Sequence, residues 1–261
     1  MQPASIADAT PTIEFQDVSY SVADTTVLSG FNLQVHRGET LVLLGRSGSG
    51  KTTSLKLVNG MLSPTSGEIR VKGVPNRKAD IVRLRRNIGY VIQEIGLFPH
   101  FTVERNISLV PRIQKWPDER LRARVLELLQ MVGLTSDSLS RFPHQLSGGQ
   151  RQRVGVARAL AADPEILLMD EPFGALDPLT RDELQREFLL LQQRLAKTVL
   201  FVTHDLHEAL RLGSRIALME AGRLVTVLPP REFLTSAEPL ASAYVRAFSN
   251  GLEPATNRGT L

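Results

Sequence analysis

Residues 45–52 read Gly-Arg-Ser-Gly-Ser-Gly-Lys-Thr, and no other segment restricts the possible architectures as much. Glycines at 45, 48 and 50 let the backbone curl until successive N–H groups point inward at anionic oxygens. Lys51 adds a point charge, and Thr52 offers a hydroxyl of the kind that ligates Mg²⁺. Such a loop works when a buried strand precedes it and a helix follows, because the helix N-terminus then faces the anion. Both are written here: residues 41–44 (LVLL) are a short apolar run, and Leu55, Val58 and Met61 recur at helical spacing. The segment is a phosphate cradle, a device that many nucleotide enzymes share, kinases included.

The rest of the chain supplies a matching α/β body. Residues 166–169, 199–202 and 216–219 are further continuous apolar runs, as expected of parallel strands buried on both faces. Residues 13–18, 27–35 and 68–72 instead alternate apolar with polar and predict an antiparallel portion. A helix is predicted over 180–195, with Leu184, Phe188, Leu191 and Leu195 on one face and Thr180 with Glu183 as a capping box. From about 94 to 164 strand signals vanish and helical ones dominate, as in Leu121, Val125, Leu128, Leu129 and Val132, so this stretch reads as a helical insertion. Residues 1–11 and 249–261 are small and polar without periodicity and are expected to be mobile tails around a body at 12–248.

Composition narrows the function. The chain has no cysteine, which excludes disulfides, thiolate metal sites and a cysteine nucleophile. No apolar run approaches the roughly 18 residues of a membrane span, and residues 1–11 lack the charged and apolar regions of a secretory signal. Lys and Arg number 31 against 27 Asp and Glu, a small excess that gives no reason to expect nucleic acid as a partner. The basic clusters at 83–87 (RLRRN) and 120–124 (RLRAR) are expected to be solvated helix faces.

Two further motifs carry chemistry. Residues 166–171 (ILLMDE) are a strand ending in two carboxylates, and alternation points Asp170 and Glu171 in different directions. Asp170 suits Mg²⁺ and Glu171 suits a general base for an attacking water, although a strand end meeting solvent would read the same. Residues 146–153 (LSGGQRQR) present a second helix N-terminus suited to phosphate, at Ser147, Gly148, Gly149 and Gln150. A glycine-rich turn before a capped helix is the alternative reading.

Taken in order, GRSGSGKT, Gln93, LSGGQ, LLMDEP, the GALD of residues 174–177 and His204 resemble the ATPase subunit of ABC transporters, over residues 13–231. The resemblance implies a P-loop NTPase core of the RecA-like kind, with ATP and Mg²⁺ as ligands. It implies ATP contacts from Gly45, Arg46, Ser47, Gly48, Ser49, Gly50, Lys51, Thr52 and Thr53, Mg²⁺ contacts from Thr52, Gln93 and Asp170, and catalysis by Glu171 with His204 and Gln93. It also implies a head-to-tail dimer in which Ser147 to Gln150 complete the ATP site of the partner and Asp177 communicates across the interface. The family's usual adenine-stacking aromatic falls at Val22, so Val22 or Tyr20, two residues earlier on the same face of an extended strand, is left to cover the base. His36, His100, His144 and His207 are expected to have structural or surface roles, and a zinc site at His204 and His207 is not expected.

Wording such as RFPHQLSGGQ and FVTHDLHEAL is similar to importers of osmoprotectants and other quaternary amines: glycine betaine, choline and carnitine. For such a subunit the resemblance implies a peripheral place on the cytoplasmic face of the inner membrane. It implies contact with transmembrane permease subunits through about residues 93–103, where Leu97, Phe98, Pro99 and Phe101 form an apolar patch, and indirect service to a substrate-binding protein. The paired regulatory domains of many members are not expected in a chain ending at Leu261. Another solute, or a soluble ABC ATPase not coupled to transport, are the alternative readings.

Overall fold

The computed structural model describes residues 10–93 and 96–252. The chain begins with strands β1 (Ile13–Val22), β2 (Thr25–Val35) and β3 (Thr40–Gly45), then helix α1 (Lys51–Val58) and the short strands β4 (Ser66–Val71) and β5 (Val74–Pro75). It continues through α2 (Ile81–Arg86), β6 (Ile88–Val91), α3 (Val103–Ile107), α4 (Leu109–Ile113), α5 (Asp118–Met131) and α6 (Gly148–Leu160). Then come β7 (Ile166–Asp170), α7 (Pro178–Leu195), β8 (Thr198–Thr203), α8 (Leu206–Leu212), β9 (Arg215–Glu220), β10 (Arg223–Leu228), α9 (Pro230–Leu234) and α10 (Pro239–Leu252).

One sheet has the order β10-β9-β3-β8-β7-β6, parallel except for β10, and a second, antiparallel sheet has the order β2-β1-β4-β5. Alternation along the central strands divides the interior. Leu41, Leu43, Leu168, Leu200 and Val202 face a core shared with α1 and the antiparallel sheet, where the Phe15 and Phe31 rings meet edge-on at 5.2 Å. Val42, Leu44, Met169 and Phe201 face the other way, into the core built by α5, α6, α7 and α8. Because both faces are covered, the parallel strands are apolar throughout, and the loops after β3, β6, β7 and β8 leave the sheet at one edge, its carboxyl end.

The structure departs from expectation in several places. Strands β6 and β10 carried no clear signal, since Gly89 and Tyr90 interrupt the first and β10 lies at the sheet edge. Helix α1 stops at Val58, and Met61 is 56% exposed beyond it. Helix α7 is capped by Asp177, whose carboxylate accepts from the Thr180 N–H at 3.1 Å, and not by Thr180: Pro178 fits the first turn, where no N–H is required. The basic clusters are not simply solvated. Arg124 donates to Leu160 O at 2.9 Å at the end of α6, and Arg85 donates to Gly60 O at 2.7 Å just past α1. Each therefore satisfies carbonyls that a helix terminus leaves unpaired. Helix α10 carries the described body on to Leu252, past the predicted end at 248, whereas residues 1–9 and 253–261 of the two expected tails lie outside the described residues.

Candidate nucleotide site

Gly45 closes β3, and a Cβ there would come within 2.5 Å of Met219 O, so only glycine lets the strand end pass β9 this closely. The turn that follows needs positive φ at Gly48 (+80°) and Gly50 (+98°). At the first turn of α1, Lys51 is buried and its Nζ donates to Gly45 O at 2.7 Å and Arg46 O at 2.9 Å, which pins the ammonium under the loop. Burial pulls its pKa below the usual lysine value, and the charges of Glu171 and Asp170 oppose that shift. The next residue, Thr52, donates its hydroxyl to Asp170 Oδ1 at 2.9 Å. Burial pushes the Asp170 carboxyl up, the Thr52 hydrogen bond draws it down, and the charge of Glu171 adds to the rise. Tyr90 on β6 stands beside it, its hydroxyl pushed well up by burial, by the negative charge of Asp170 and by a hydrogen bond to it.

Glu171 begins where β7 ends. Its backbone is left-handed (φ +43°), held by its N–H on Val202 O at 3.0 Å and by the Gly174 N–H on its own carbonyl at 3.2 Å. This break in the strand turns Glu171 away from Asp170 and toward the mouth of the loop. There its Oε2 accepts from Gln93 Nε2 at 3.4 Å and lies 3.1 Å from His204 Nδ1. Residues from four loops at the sheet's carboxyl edge thus converge: Thr52 after β3, Gln93 after β6, Asp170 and Glu171 at β7, and His204 after β8. Arg46, Ser47 and Gly48 form the exposed crest of the loop, and Thr53 is half-buried on α1.

Ser147 to Gln150 stand apart from this cluster at the start of α6. The Ser147 hydroxyl accepts from the Gln150 N–H at 3.2 Å, and Gln150 Oε1 accepts from the Ser147 N–H at 3.0 Å. A Cβ on Gly149 would come within 2.6 Å of Thr180 Cγ2, so the motif packs against the first turn of α7, beside its cap Asp177.

A family model described as ABC transporter matches residues 28–174. The chain belongs to the ABC transporter family. It is 51% identical over 221 residues to the glycine betaine/carnitine/choline transport ATP-binding protein OpuCA of Bacillus subtilis, covering 85% of this chain and 57% of that one. It is 49% identical over 236 residues to the glycine betaine uptake system ATP-binding protein YehX of Escherichia coli, covering 90% of this chain and 76% of that one. Against OpuCA and the related choline transport protein OpuBA the chain spans little more than half the relative's length, 57% and 54%. Among solved structures, the dimeric MJ0796, a bacterial ABC transporter cassette, superposes with a TM-score of 0.77 at 35% identity, covering 84% of this chain and 99% of that one.

Within this ABC chain the two residues expected to cover the base separate. An irregularity in the β1–β2 register between Tyr20 and Ser21 breaks the alternation that was expected to set Tyr20 and Val22 on one face. Tyr20 packs, partly buried, against the core under the antiparallel sheet, while Val22 is 54% exposed at the end of β1. Other residues at the site had no sequence signal. Tyr90 lies in an inconspicuous strand. Helix α10 sets Leu240, Tyr244 and Ala247 against Arg46, Ser47 and His204 around a cavity of about 360 Å³. The amphipathic pattern of α10 announces a packed face without saying that the face meets the phosphate loop.

Proposed function

We propose that this chain binds ATP with Mg²⁺ and hydrolyses it as the energy-supplying subunit of an ABC importer for osmoprotectants or related quaternary amines. The observation that carries the catalytic part is the shared Glu171 Oε2, met by Gln93 and His204 beside the Thr52 and Asp170 pair. In this reading, backbone N–H groups of residues 45–50 and the Lys51 ammonium hold the β- and γ-phosphates. The donor set fits the metal: Thr52 and Asp170 offer hard oxygens 2.9 Å apart, and Mg²⁺ commonly takes one or two protein oxygens and fills its octahedron with phosphate and water. Bound there, Mg²⁺ would neutralise charge that builds on the phosphates in the transition state.

Glu171 then accepts the proton of the attacking water, Gln93 orients that water or reaches the metal, and His204 contacts the γ-phosphate. Ser147 to Gln150 serve the ATP of a second copy, so that the phosphate loop is half a site, and Asp177 carries the state of one site toward the other. Permease subunits dock near residues 93–103, where a cavity of about 230 Å³ between Tyr90, Phe98, Leu109 and Arg158 could receive an apolar element. The subunit works from the cytoplasmic face of the inner membrane as a peripheral protein, serves a substrate-binding protein indirectly and has no nucleic-acid partner. Among the described residues no helix is long and apolar enough to cross a membrane, which is compatible with that place. The names of the relatives support quaternary amines as cargo.

The test is Mg²⁺-dependent ATP hydrolysis by the purified chain, followed by reconstitution with its permease and a choline, carnitine or glycine betaine gradient. Absence of hydrolysis would remove the catalytic reading. Transport of another solute alone would remove only the cargo.

A further inference from the structure

Helices α7 and α8 enclose a polar group that the roles above leave unused. Glu208, in the first turn of α8, is 3% exposed, and Gln185 opposite it on α7 is 2% exposed. The Glu208 carboxylate accepts from Thr203 Oγ1 at 2.6 Å and from Gln185 Nε2 at 3.1 Å. The carbonyl side of Gln185 is occupied, because its Oε1 accepts from Arg211 Nη1 at 3.0 Å, and Arg211 is itself held by Asp182 at 2.6 Å. Every bond in the chain therefore has one direction. Thr203 gives its only hydroxyl proton to Glu208, and its oxygen accepts the Asp205 N–H at 3.0 Å.

Thr203 and Asp205 flank His204. The peptide on either side of that histidine is thus fastened to one buried carboxylate, and the carboxylate to α7. Burying a charge is costly, and an apolar residue of similar size would fill the space at less expense to stability. What the carboxylate adds is orientation: two strong acceptor sites that fix a hydroxyl and an amide on two separate elements.

We infer that Glu208 is a positioning residue for hydrolysis, which holds His204 against Glu171 through Thr203 and ties that loop, through Gln185, to the helix capped by Asp177. The inference rests on the ATPase reading above. Glu208→Gln keeps the volume but removes the charge: with its carbonyl taken by the Gln185 NH₂ group it must face Thr203 with a donor, which reverses that bond and leaves the Thr203 hydroxyl proton without its acceptor. The purified variant is expected to lose roughly 10-fold or more in kcat, as misplaced catalytic groups do, with KM for ATP within about twofold of wild type. Thr203→Val should show the same split, and Thr203→Ser should recover most of that loss. In histidine-labelled protein, the His204 imidazole NMR signal, assigned by its disappearance in His204→Ala, should move in Glu208→Gln and in Thr203→Val and return toward its wild-type position in Thr203→Ser.

An unchanged kcat in folded Glu208→Gln, an unmoved His204 signal, or a loss residing wholly in KM would each overturn the inference. Thr203→Val, an isosteric change, carries the same comparison if Glu208→Gln does not fold. A wild-type chain without ATPase activity would instead overturn the reading on which the inference rests.

Discussion

Glu171 is a non-glycine residue with φ of +43°, at the junction where a buried strand stops and a polar site begins. Left-handed backbone of this kind costs on the order of 1–3 kcal/mol and persists only where its surroundings hold it. Here the hold is the Val202 carbonyl, and the return is a carboxylate that turns aside from Asp170. If Glu171 is the base, Glu171→Gln retains the shape and the phosphate contacts and loses the proton acceptor. Its kcat should fall by about 10²–10⁴-fold, the usual contribution of a general base, while an ATP-bound dimer accumulates, visible by light scattering with Mg²⁺ and ATP. Normal turnover by this variant would rule out the assignment. Lys51→Ala should act on binding instead: losing hydrogen bonds to a charged group costs ~1.5–3 kcal/mol, or about 10- to 100-fold in Kd for ATP by titration. If Val22 is the residue that covers the base, it offers an exposed aliphatic surface and no ring. ATP and GTP should therefore compete on similar terms, and a large ATP preference in competition binding would show that another group grips the adenine.

Elements bring these residues together, and their fit is tight where β6 passes α6. A Cβ on Gly89 would stand 2.4 Å from Ala159 O and 2.5 Å from Leu167 Cδ2, and the first of these is backbone of a helix that cannot easily yield. Gly89→Ala should lower stability by about 1–3 kcal/mol, the range for overpacking a filled core, read as a lower urea midpoint with an unchanged slope. An unchanged midpoint would mean that β6 can slide on α6. The same glycine explains why β6 was illegible: a strand of Ile-Gly-Tyr-Val has too little apolar continuity to be distinguished from a loop. By contrast, β3, β7, β8 and β9 were readable because burial on both faces demands unbroken apolar runs. The phosphate loop was readable because glycine spacing and lysine position are properties of one short segment. Glu208, Gln185 and Thr203 were not, since their meaning lies in contacts of α8 with α7, 23 residues away along the chain, and with the end of β8, five residues away. The cap of α7 was misassigned for a related reason: Thr180 and Glu183 satisfy the capping pattern in sequence, but the chain turns three residues earlier, at Asp177.

Across the whole molecule, carboxylates divide by place. At the periphery, hydrogen bonds and charges from basic partners hold several below their usual range: Asp163 through Lys197, Glu165 through Lys72 and Asp182 through Arg211. Inside, burial drives Asp170 and Glu208 up. The two groups have opposite linkage. A depressed carboxylate binds its proton less tightly when folded, so its contribution is complete above the unfolded values of about 3.9–4.3 and is lost as pH falls through the lower folded values. A raised carboxylate binds its proton more tightly when folded, so it weakens the fold near neutrality, and the penalty fades as pH falls through its folded pKa toward the unfolded one. Urea midpoints should therefore hold steady or rise from pH 7 toward about 5 and drop only below about 4, where the peripheral carboxylates protonate. Glu208→Gln isolates one inner contribution: its midpoint relative to wild type should be most favourable at pH 7 and lose that advantage as the wild-type carboxylate becomes neutral. A gap that is constant across the range would mean that Glu208 titrates alike in the folded and unfolded chain. A narrowing gap would place part of the molecule's electrostatic cost at Glu208, the buried carboxylate that fastens Thr203 and Gln185 on either side of it.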